Sequence, residues 1–465
     1  MELDPNAAAG QSGRRGGRTE AEAAPGATTW AGEGGRARGP RPAPPAAAVS
    51  ARHPPAVVVC GHSHTLSLSR RGEVFSWGLA SSGELGYPGA GVEAPLPRRV
   101  DALSRLRVVS VSAGGHHSMC ITEDGALWTC GRGRHGQLGH GEFVDEAPLE
   151  RVASLAGVRV VSTAAGAAHS LALGSDGTLY SWGCGDRGQL GHGALEPLSR
   201  RGGADAVALA KPWRVASLCP RGLAPGDRVT AVHAGARHSL ALTVDGGLKV
   251  FGCNRHGQLG TGGRASRTAP AGERTRDAWS PVDCALWSLP GAGPDASAVR
   301  VVQAAAGAHH TVVLCHVAGR PTVVTFGRSC HGQLGHGDVE GRPRPTAVEA
   351  LQGRAVAAVL AGGHHSAAVG REGEVWVWGR GDSGQLGTGD TRNRWTPERL
   401  PGVRAVHPDR TLRRRGGNDR RIPKSAAELA ASAAAEAARR KPRAASGTLD
   451  ACAAWATALS LQAAA

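Results

Sequence analysis

Aromatic residues are scarce in this chain of 465 residues: eleven Trp, four Phe and two Tyr make up 4% of it. The hydrophobic 41% must therefore fill a core mainly with Val, Leu and Ala. Lysine is confined to Lys211, Lys249, Lys424 and Lys441, so the net charge of +16 is carried almost wholly by Arg. No apolar run reaches the length of about 18 residues that a membrane-spanning helix needs, and no contact with a membrane is expected. The ten Cys lie far apart with no C-x-x-C. Free, mostly buried thiols in a reducing compartment are expected rather than a disulfide framework. The N-terminal MELDPNAAAGQSGRRGG has no apolar core of a signal peptide, and Glu2, Asp4, Glu20 and Glu22 oppose a transit peptide despite Arg14, Arg15 and Arg18. The expected location is cytoplasmic, nuclear or both.

What the chain has is repetition. Asp176–Gly193 reads DGTLYSWGCGDRGQLGHG, and the phrase returns at Asp124–Gly141, Asp245–Gly262 and Glu372–Gly389, with looser copies from Arg71 and Arg320. A shorter phrase precedes each copy, as in GGHHSMCI at 114–121 and GARHSLAL at 235–242. The Leu of each QLG or ELG (Leu85, Leu138, Leu190, Leu259, Leu334, Leu386) steps by 53, 52, 69, 75 and 52 residues. A period near 52 with two insertions, Gly193–Trp213 and Gly262–Ala298, follows; both read as loops between repeats.

Each period holds about four strand-like runs, for example Val108–Ala113, Ser118–Thr122, Ala126–Cys130 and a weaker one near Leu149–Val152. Asp-Gly or Glu-Gly between the second and third runs predicts a tight hairpin with positive φ at both central residues. Four antiparallel strands per repeat make a propeller blade, and the Gly-punctuated units lack the sustained period that helical repeats need.

The paired phrases G-x-x-H-[ST]-x-x-[LV] and [DE]-G-x-[LV]-x-x-[WF]-G-x-x-x-x-G-Q-L-G, running over about Val57–Leu400, resemble the regulator-of-chromosome-condensation repeat family. Kelch repeats have a similar period but a different glycine and aromatic signature. The resemblance implies an all-β, seven-bladed β-propeller of four-stranded antiparallel blades. Its last blade is expected to be closed by both termini. Ala451–Leu461 would give inner strands, since CAAWATALS aligns with CGHSHTLSL at 60–68. Thr28–Gly39 would give an outer strand, since Trp30 precedes Gly39 by the spacing of Trp182 to Gly191. The expected organisation is a disordered tail at 1–27, propeller blades over 28–403, a basic insertion at 404–446 and closing strands at 447–465.

Candidate chemistry is thin. His64, His117, His169, His238, His310 and His365 occur once per repeat, so propeller rotation separates them; each is expected to hydrogen-bond within its own blade, with no shared metal. His135, His256 and His331, and His140, His192 and His336, read as turn or surface residues. The Gly-rich turns lack the Lys and helix of a P-loop, and no G-x-S-x-G elbow occurs. No catalytic, metal-binding or cofactor-binding residue is expected.

The expected function is that of an adaptor or regulator, a monomer binding a protein partner through loops on one face. The resemblance also implies an alternative, guanine-nucleotide exchange on a Ran-like small GTPase, with chromatin association. The Trp of the family's photoreceptor phrase G-W-R-H-[ST] is replaced here by His62, Gly115, Ala167, Ala236, Ala308 and Gly363, which argues against photoreception. The tract 404–443 holds twelve Arg or Lys against four acids. Within it Arg413, Arg414, Arg415, Arg420, Arg421, Lys424, Arg439, Arg440 and Lys441 are candidates for binding polyanions, nucleic acid included, or an import receptor.

Overall fold

Alternation of buried and exposed residues, cut by turn glycines every dozen residues, produces 24 short strands and six 3-10 turns. The structure is a computed structural model; it describes residues 55–403 except 80, 88–92, 194–206, 221–224, 263–275 and 294–297. The strands form six four-stranded antiparallel sheets, each taken up consecutively along the chain. Blade 1 is β1 (Pro55–Cys60), β2 (His64–Ser69), β3 (Val74–Leu79) and β4 (Glu93–Arg99). Blade 2 is β5 (Val108–Ala113), β6 (His117–Thr122), β7 (Leu127–Gly131) and β8 (Glu146–Arg151). Blade 3 runs β9 (Val160–Ala165), β10 (His169–Gly174), β11 (Leu179–Cys184), β12 (Ala208–Arg214). Blade 4 runs β13 (Val229–Ala234), β14 (His238–Thr243), β15 (Leu248–Gly252), β16 (Ala278–Asp283). Blade 5 runs β17 (Val299–Ala306), β18 (His310–Val317), β19 (Arg320–Gly327), β20 (Arg342–Ala347). Blade 6 runs β21 (Val356–Ala361), β22 (His365–Gly370), β23 (Val375–Gly379), β24 (Arg394–Arg399). Among the described residues there is no helix long and apolar enough to cross a membrane.

The second strands β2, β6, β10, β14 and β22 are buried along their whole length, and in the inner blades a neighbouring blade covers each face. The fourth strands are exposed edges, and every one contains proline: Pro95 and Pro97, Pro148, Pro212, Pro281, Pro343 and Pro345, and Pro397. Proline cannot donate to a ladder, so it is confined to such edges. A bulge at the aromatic position separates β3 from β4 and recurs in all six blades. The glycine that follows it has φ between 96° and 111°, as at Gly183 and Gly327.

Two expectations of local structure are corrected. The Asp-Gly hairpins are three-residue loops, with a type I turn closed by a left-handed glycine. Gly125 (φ 85°) donates its N–H to Thr122 O, while Asp124 keeps negative φ. Only blade 5 makes a two-residue turn with both φ positive, at Ala318 and Gly319. The insertions lie inside blades 3 and 4, between the third strand and the fourth, because Ala208–Arg214 and Ala278–Asp283 pair as β12 and β16.

Blades are joined by apolar seams and by a repeated polar chain. Five clusters each span two consecutive blades, from the first pair to the fifth. The sixth, on the far face of blade 6 (Ala358, Leu360, Ala367, Val369, Val375, Val377, Leu386, Leu400), draws on no other described blade. The repeated His does not bond within its own blade: Nε2 reaches the hydroxyl of the next one. The pairs are His64–Ser118 at 3.0 Å, His117–Ser170, His169–Ser239 and His310–Ser366 at 2.9 Å, and His238–Thr311 at 3.2 Å. Each hydroxyl donates back to a turn carbonyl of the preceding blade, as Ser170 does to Gln137 O at 2.7 Å. The hydroxyl proton being spent, its lone pair accepts Nε2–H, which fixes Nε2 as a protonated nitrogen of the ring. The ring also explains the glycine three residues earlier: a Cβ at Gly61 would lie 2.3 Å from His64 Cε1 and 2.4 Å from Gly114 O. The segments Thr28–Gly39 and Ala451–Leu461 lie outside the described residues.

Burial is the main cause that lowers these six imidazoles: His64, His169 and His365 to about 4, His117 and His238 to about 3, and His310 well below its ordinary value. The unfolded chain therefore binds the proton first. Stability is complete above the ordinary value of about 6.5 and falls as pH drops from there toward the folded values, by up to about 1.4 kcal/mol per pH unit for each His. Urea midpoints measured from pH 7.5 to 5 should fall steeply, and more shallowly in a His117→Gln variant. A flat profile would contradict the neutral-histidine chain.

Candidate functional site

Two loops of every blade meet at one end of the sheets. The residue after each bulge region donates its N–H to the carbonyl before the repeated His: Leu79 to Ser63, Arg132 to His116, Cys184 to Ala168, Cys253 to Arg237, Arg328 to His309 and Arg380 to His364, at 2.8–2.9 Å. The turn from the first to the second strand and the turn after the third strand thus share one rim. In the latter turn the Gln side chain caps the backbone: Gln137 Oε1 accepts from His135 N–H, Gln258 from His256, Gln333 from His331, all at 2.9 Å. Those amides are spent on turn structure, which leaves no phosphate cradle.

Inside the rim lies an open well of about 210 Å³, lined by glycine and alanine from all six blades with Cys60 and His62. The first-strand turns are stitched across it by backbone bonds, from His62 N–H to Gly115 O (3.2 Å) through to Ala308 N–H to Gly363 O (3.0 Å). Among the described residues no acid–base pair converges there.

The turn after the third strand of each blade sits beside the first turn of the next, and charge varies from one junction to another. Between blades 1 and 2, Glu84 Oε1 lies 3.5 Å from His116 Nδ1, whose ring is 5.6 Å from that of His62. Between blades 3 and 4, Asp186 faces Arg237 at 3.4 Å, and Arg187 faces Asp277 at 3.8 Å. Over blades 4 to 6 the rim turns basic. His256 and His309 have ring centroids 5.3 Å apart, His309 and His364 6.4 Å, and His364 and His331 5.5 Å. Arg255, Arg328 and Arg380 flank them, and Asp382, the acid that acts on His331 and His364, is tied to Arg380 at 2.8 Å. Burial lowers all four imidazoles, with repulsion from neighbouring Arg and His adding to it; His309 falls to about 4.

His135, His256 and His331 are turn residues, as expected. His140, His192 and His336 staple their own turns, bonding Thr129, Ser181 and Thr325 at 2.8–2.9 Å. His140 also lies with Glu146 and Glu150 in the one group of three possible metal donors among the described residues. Its Nε2 is already committed to Thr129, whose hydroxyl donates to Leu138 O, so the group reads as a turn with a crowded acid. Burial first, then Glu150 and Glu142, pushes Glu146 up to about 7. Among the described residues Cys120, Cys130, Cys253, Cys284 and Cys315 are buried thiols outside any disulfide. The basic candidates Arg413, Arg414, Arg415, Arg420, Arg421, Lys424, Arg439, Arg440 and Lys441 lie outside the described residues.

Sequence reasoning missed the rim histidines His309 and His364. The signal was present: in GAHHT and GGHHS the first His precedes the strand and must stand on a turn.

Known proteins bear the same architecture. The chain is 31% identical over 342 residues to the ultraviolet-B receptor UVR8 of Arabidopsis thaliana, covering 73% of this chain and 68% of that one. It is 31% identical over 351 residues to the human regulator of chromosome condensation, covering 74% and 76%. The crystal structure of Prp20p from Saccharomyces cerevisiae superposes with a TM-score of 0.59 at 25% identity, covering 74% of this chain and 76% of that one. The family model for the RCC1-like domain matches residues 10–418. With that span the protein belongs to the RCC1-like domain family.

Proposed function

We propose that this chain is a protein-interaction propeller, an adaptor or regulator that engages its partner through the rim loops. The observation that carries the reading is the contrast at the rim. The well holds no reactive constellation, while the turns around it differ in charge from blade to blade above strands that repeat. Variable loops on a rigid scaffold are where binding concentrates. Residence in the cytoplasm or nucleus as a monomer goes with this reading.

Exchange on a Ran-like GTPase is the second reading. It is favoured by the likeness to the regulator of chromosome condensation and to Prp20p, whose structure was described together with its binding to Gsp1p and histones. Against it stands the rim itself: Glu84, Asp186 and Asp382 each face a basic group, and no cluster of acids is presented among the described residues. Affinity capture should compare the wild type with an Arg237→Glu, Arg328→Glu, Arg380→Glu variant. Partners lost only in the variant are expected; an unchanged set sinks rim binding. Purified protein should not accelerate GDP release from a Ran-type GTPase at catalytic concentration. Clear acceleration would establish the second reading instead.

The ring is proposed to carry a seventh blade, with Ala451–Leu461 inside and Thr28–Gly39 outside. Three features of blade 6 support it. Its far apolar face has no described partner, and His365 Nε2 is buried without a hydrogen bond. Gly387 is open, whereas a Cβ at Gly139, Gly191, Gly260 or Gly335 would press within 2.8–3.0 Å of Trp182, Phe251, Phe326 or Trp378 of the next blade. Repeat alignment assigns Thr457 to the missing hydroxyl and Trp30 to the missing ring. Deleting 447–465 should then lower stability by several kcal/mol, on the order of an inter-blade interface. Trp30→Ala and Gly387→Ala should be strongly non-additive in a double-mutant cycle; additive losses would rule Trp30 out as the cover.

The tract 404–443 is proposed to hold polyanions without regard to sequence. If it neutralises roughly six to ten phosphates, duplex-DNA affinity falls by roughly 10³–10⁵ between about 50 and 200 mM salt. A variant lacking the tract should lose that slope; equal slopes would make the tract inert.

A further inference from the structure

We propose that the rim over blades 4 to 6 is a proton-linked docking site for an acidic protein segment, whose carboxylates draw protons onto His256, His309, His331 and His364. The inference deepens the rim-binding reading and rests on it.

Geometry sets the site. The four rings form a continuous row, His256–His309–His364–His331, with centroids 5.3, 6.4 and 5.5 Å apart and successive planes tilted by 39–60°. All four are half-buried, so they are held in place yet open on one side. Nδ1 of His309 and of His364 is shielded and unbonded, which leaves Nε2 of each ring as the atom a ligand can meet. An extended peptide sets alternate side chains about 6.6–7 Å apart on one face, close to the spacing of these rings. A run of Asp or Glu laid along the row therefore brings one carboxylate to each of two or three histidines.

Charge sets the sign. His309 faces His256, His364, Arg328 and Arg237; His364 faces His331, Arg328, Arg380 and Asp382; His331 faces Arg380, Arg328 and Asp382; His256 faces Arg328 and Arg255. The acids within reach are already paired, Asp382 with Arg380 and Asp186 with Arg237. In the free protein burial and these cations keep the imidazoles neutral at neutral pH, His309 down to about 4. An arriving carboxylate opposes the repulsion and raises their affinity for protons. By linkage, a ligand that raises these values must bind more tightly as pH falls. The gain is lost as pH rises through the values in the complex and stops growing below those of the free protein. The fixed arginines attract the segment at every pH; the histidines make the attraction depend on acidity.

The test uses the full chain and a fluorescein-labelled octaglutamate peptide, followed by anisotropy at constant ionic strength between pH 7.5 and 5.0, a range in which Glu stays largely ionised. Lys and Arg of the tract 404–443 do not titrate in this window, so they add affinity without pH dependence. Each proton taken up on binding steepens affinity by up to tenfold per pH unit, so tightening of about tenfold or more is expected. His309→Gln with His364→Gln should lose most of the pH dependence, whatever affinity remains at pH 7.5. In the wild type, the histidine Cε1–H resonances should titrate about one unit higher with peptide bound. A unit shift is the same tenfold preference read from the protein side. An unchanged thermal midpoint at pH 7.5 shows that the double variant is folded; if it is not, the resonance titration alone decides. Binding that is tight but equal at both pH values, or equally pH-dependent in the double variant, overturns proton linkage and leaves rim docking standing. Stronger and equally pH-linked binding of duplex DNA of the same charge overturns the choice of a protein segment. Absence of peptide binding at any pH, with a capture profile indifferent to the Arg237, Arg328 and Arg380 reversals, removes both readings.

Discussion

One hydrogen-bonded chain, repeated at every junction between the described blades, governs what the rest of the molecule can be. A neutral imidazole donates to a hydroxyl of the next blade, and that hydroxyl returns a hydrogen bond to the carbonyl of the turn behind it. Where a Trp stands at the bulge, as at Trp182 and Trp378, its Nε1–H reaches the same carbonyl at 2.8 and 2.9 Å. Buried polar groups are costly unless satisfied, so the chain fixes the rotation of one blade against the next. Apolar seams of Val, Leu and Ala hold the blades together, but they could slide; the directional bonds decide where sliding stops.

The same constraint explains why the rim is free to vary. Glycines under the imidazole, bulge glycines under the turn carbonyl and the Gln caps fix the backbone of both turns. His116, Ala168, Arg237, His309 and His364 therefore occupy one structural position with very different chemistry. The rim's electrostatics can change from junction to junction without disturbing the seams beneath.

How much of this was legible in the sequence depended on what repetition can encode. The period, the four-stranded blade and runs such as Val108–Ala113 came directly from spacing and alternation. The partner of the repeated His did not, because each blade carries the same hydroxyl position. Thr65 and Ser118 are equivalent by sequence, and only the ring geometry selects Ser118 for His64. The insertions were assigned to the wrong side of the fourth strand for a different reason. An edge strand such as Ala278–Asp283, proline-bearing and exposed, has no hydrophobic alternation to announce it. The hairpin loops were misjudged because Asp-Gly suits two turn geometries. Asp124 resolves the choice by accepting hydrogen bonds from Thr122 Oγ1 and Ala126 N.

The prolines of the outer strands have a consequence for how anything else can approach. A sheet edge with free amides invites an incoming chain to add itself as a further strand, the route taken by many peptide ligands and by aggregating proteins. Here every described outward edge is interrupted by a residue with no amide hydrogen, and the bulge beside it bends the ladder away. The described outer strands are thereby closed to lateral β-addition, in fibril growth as much as in recognition. Association is steered to the axial ends, where turns rather than strands meet the solvent.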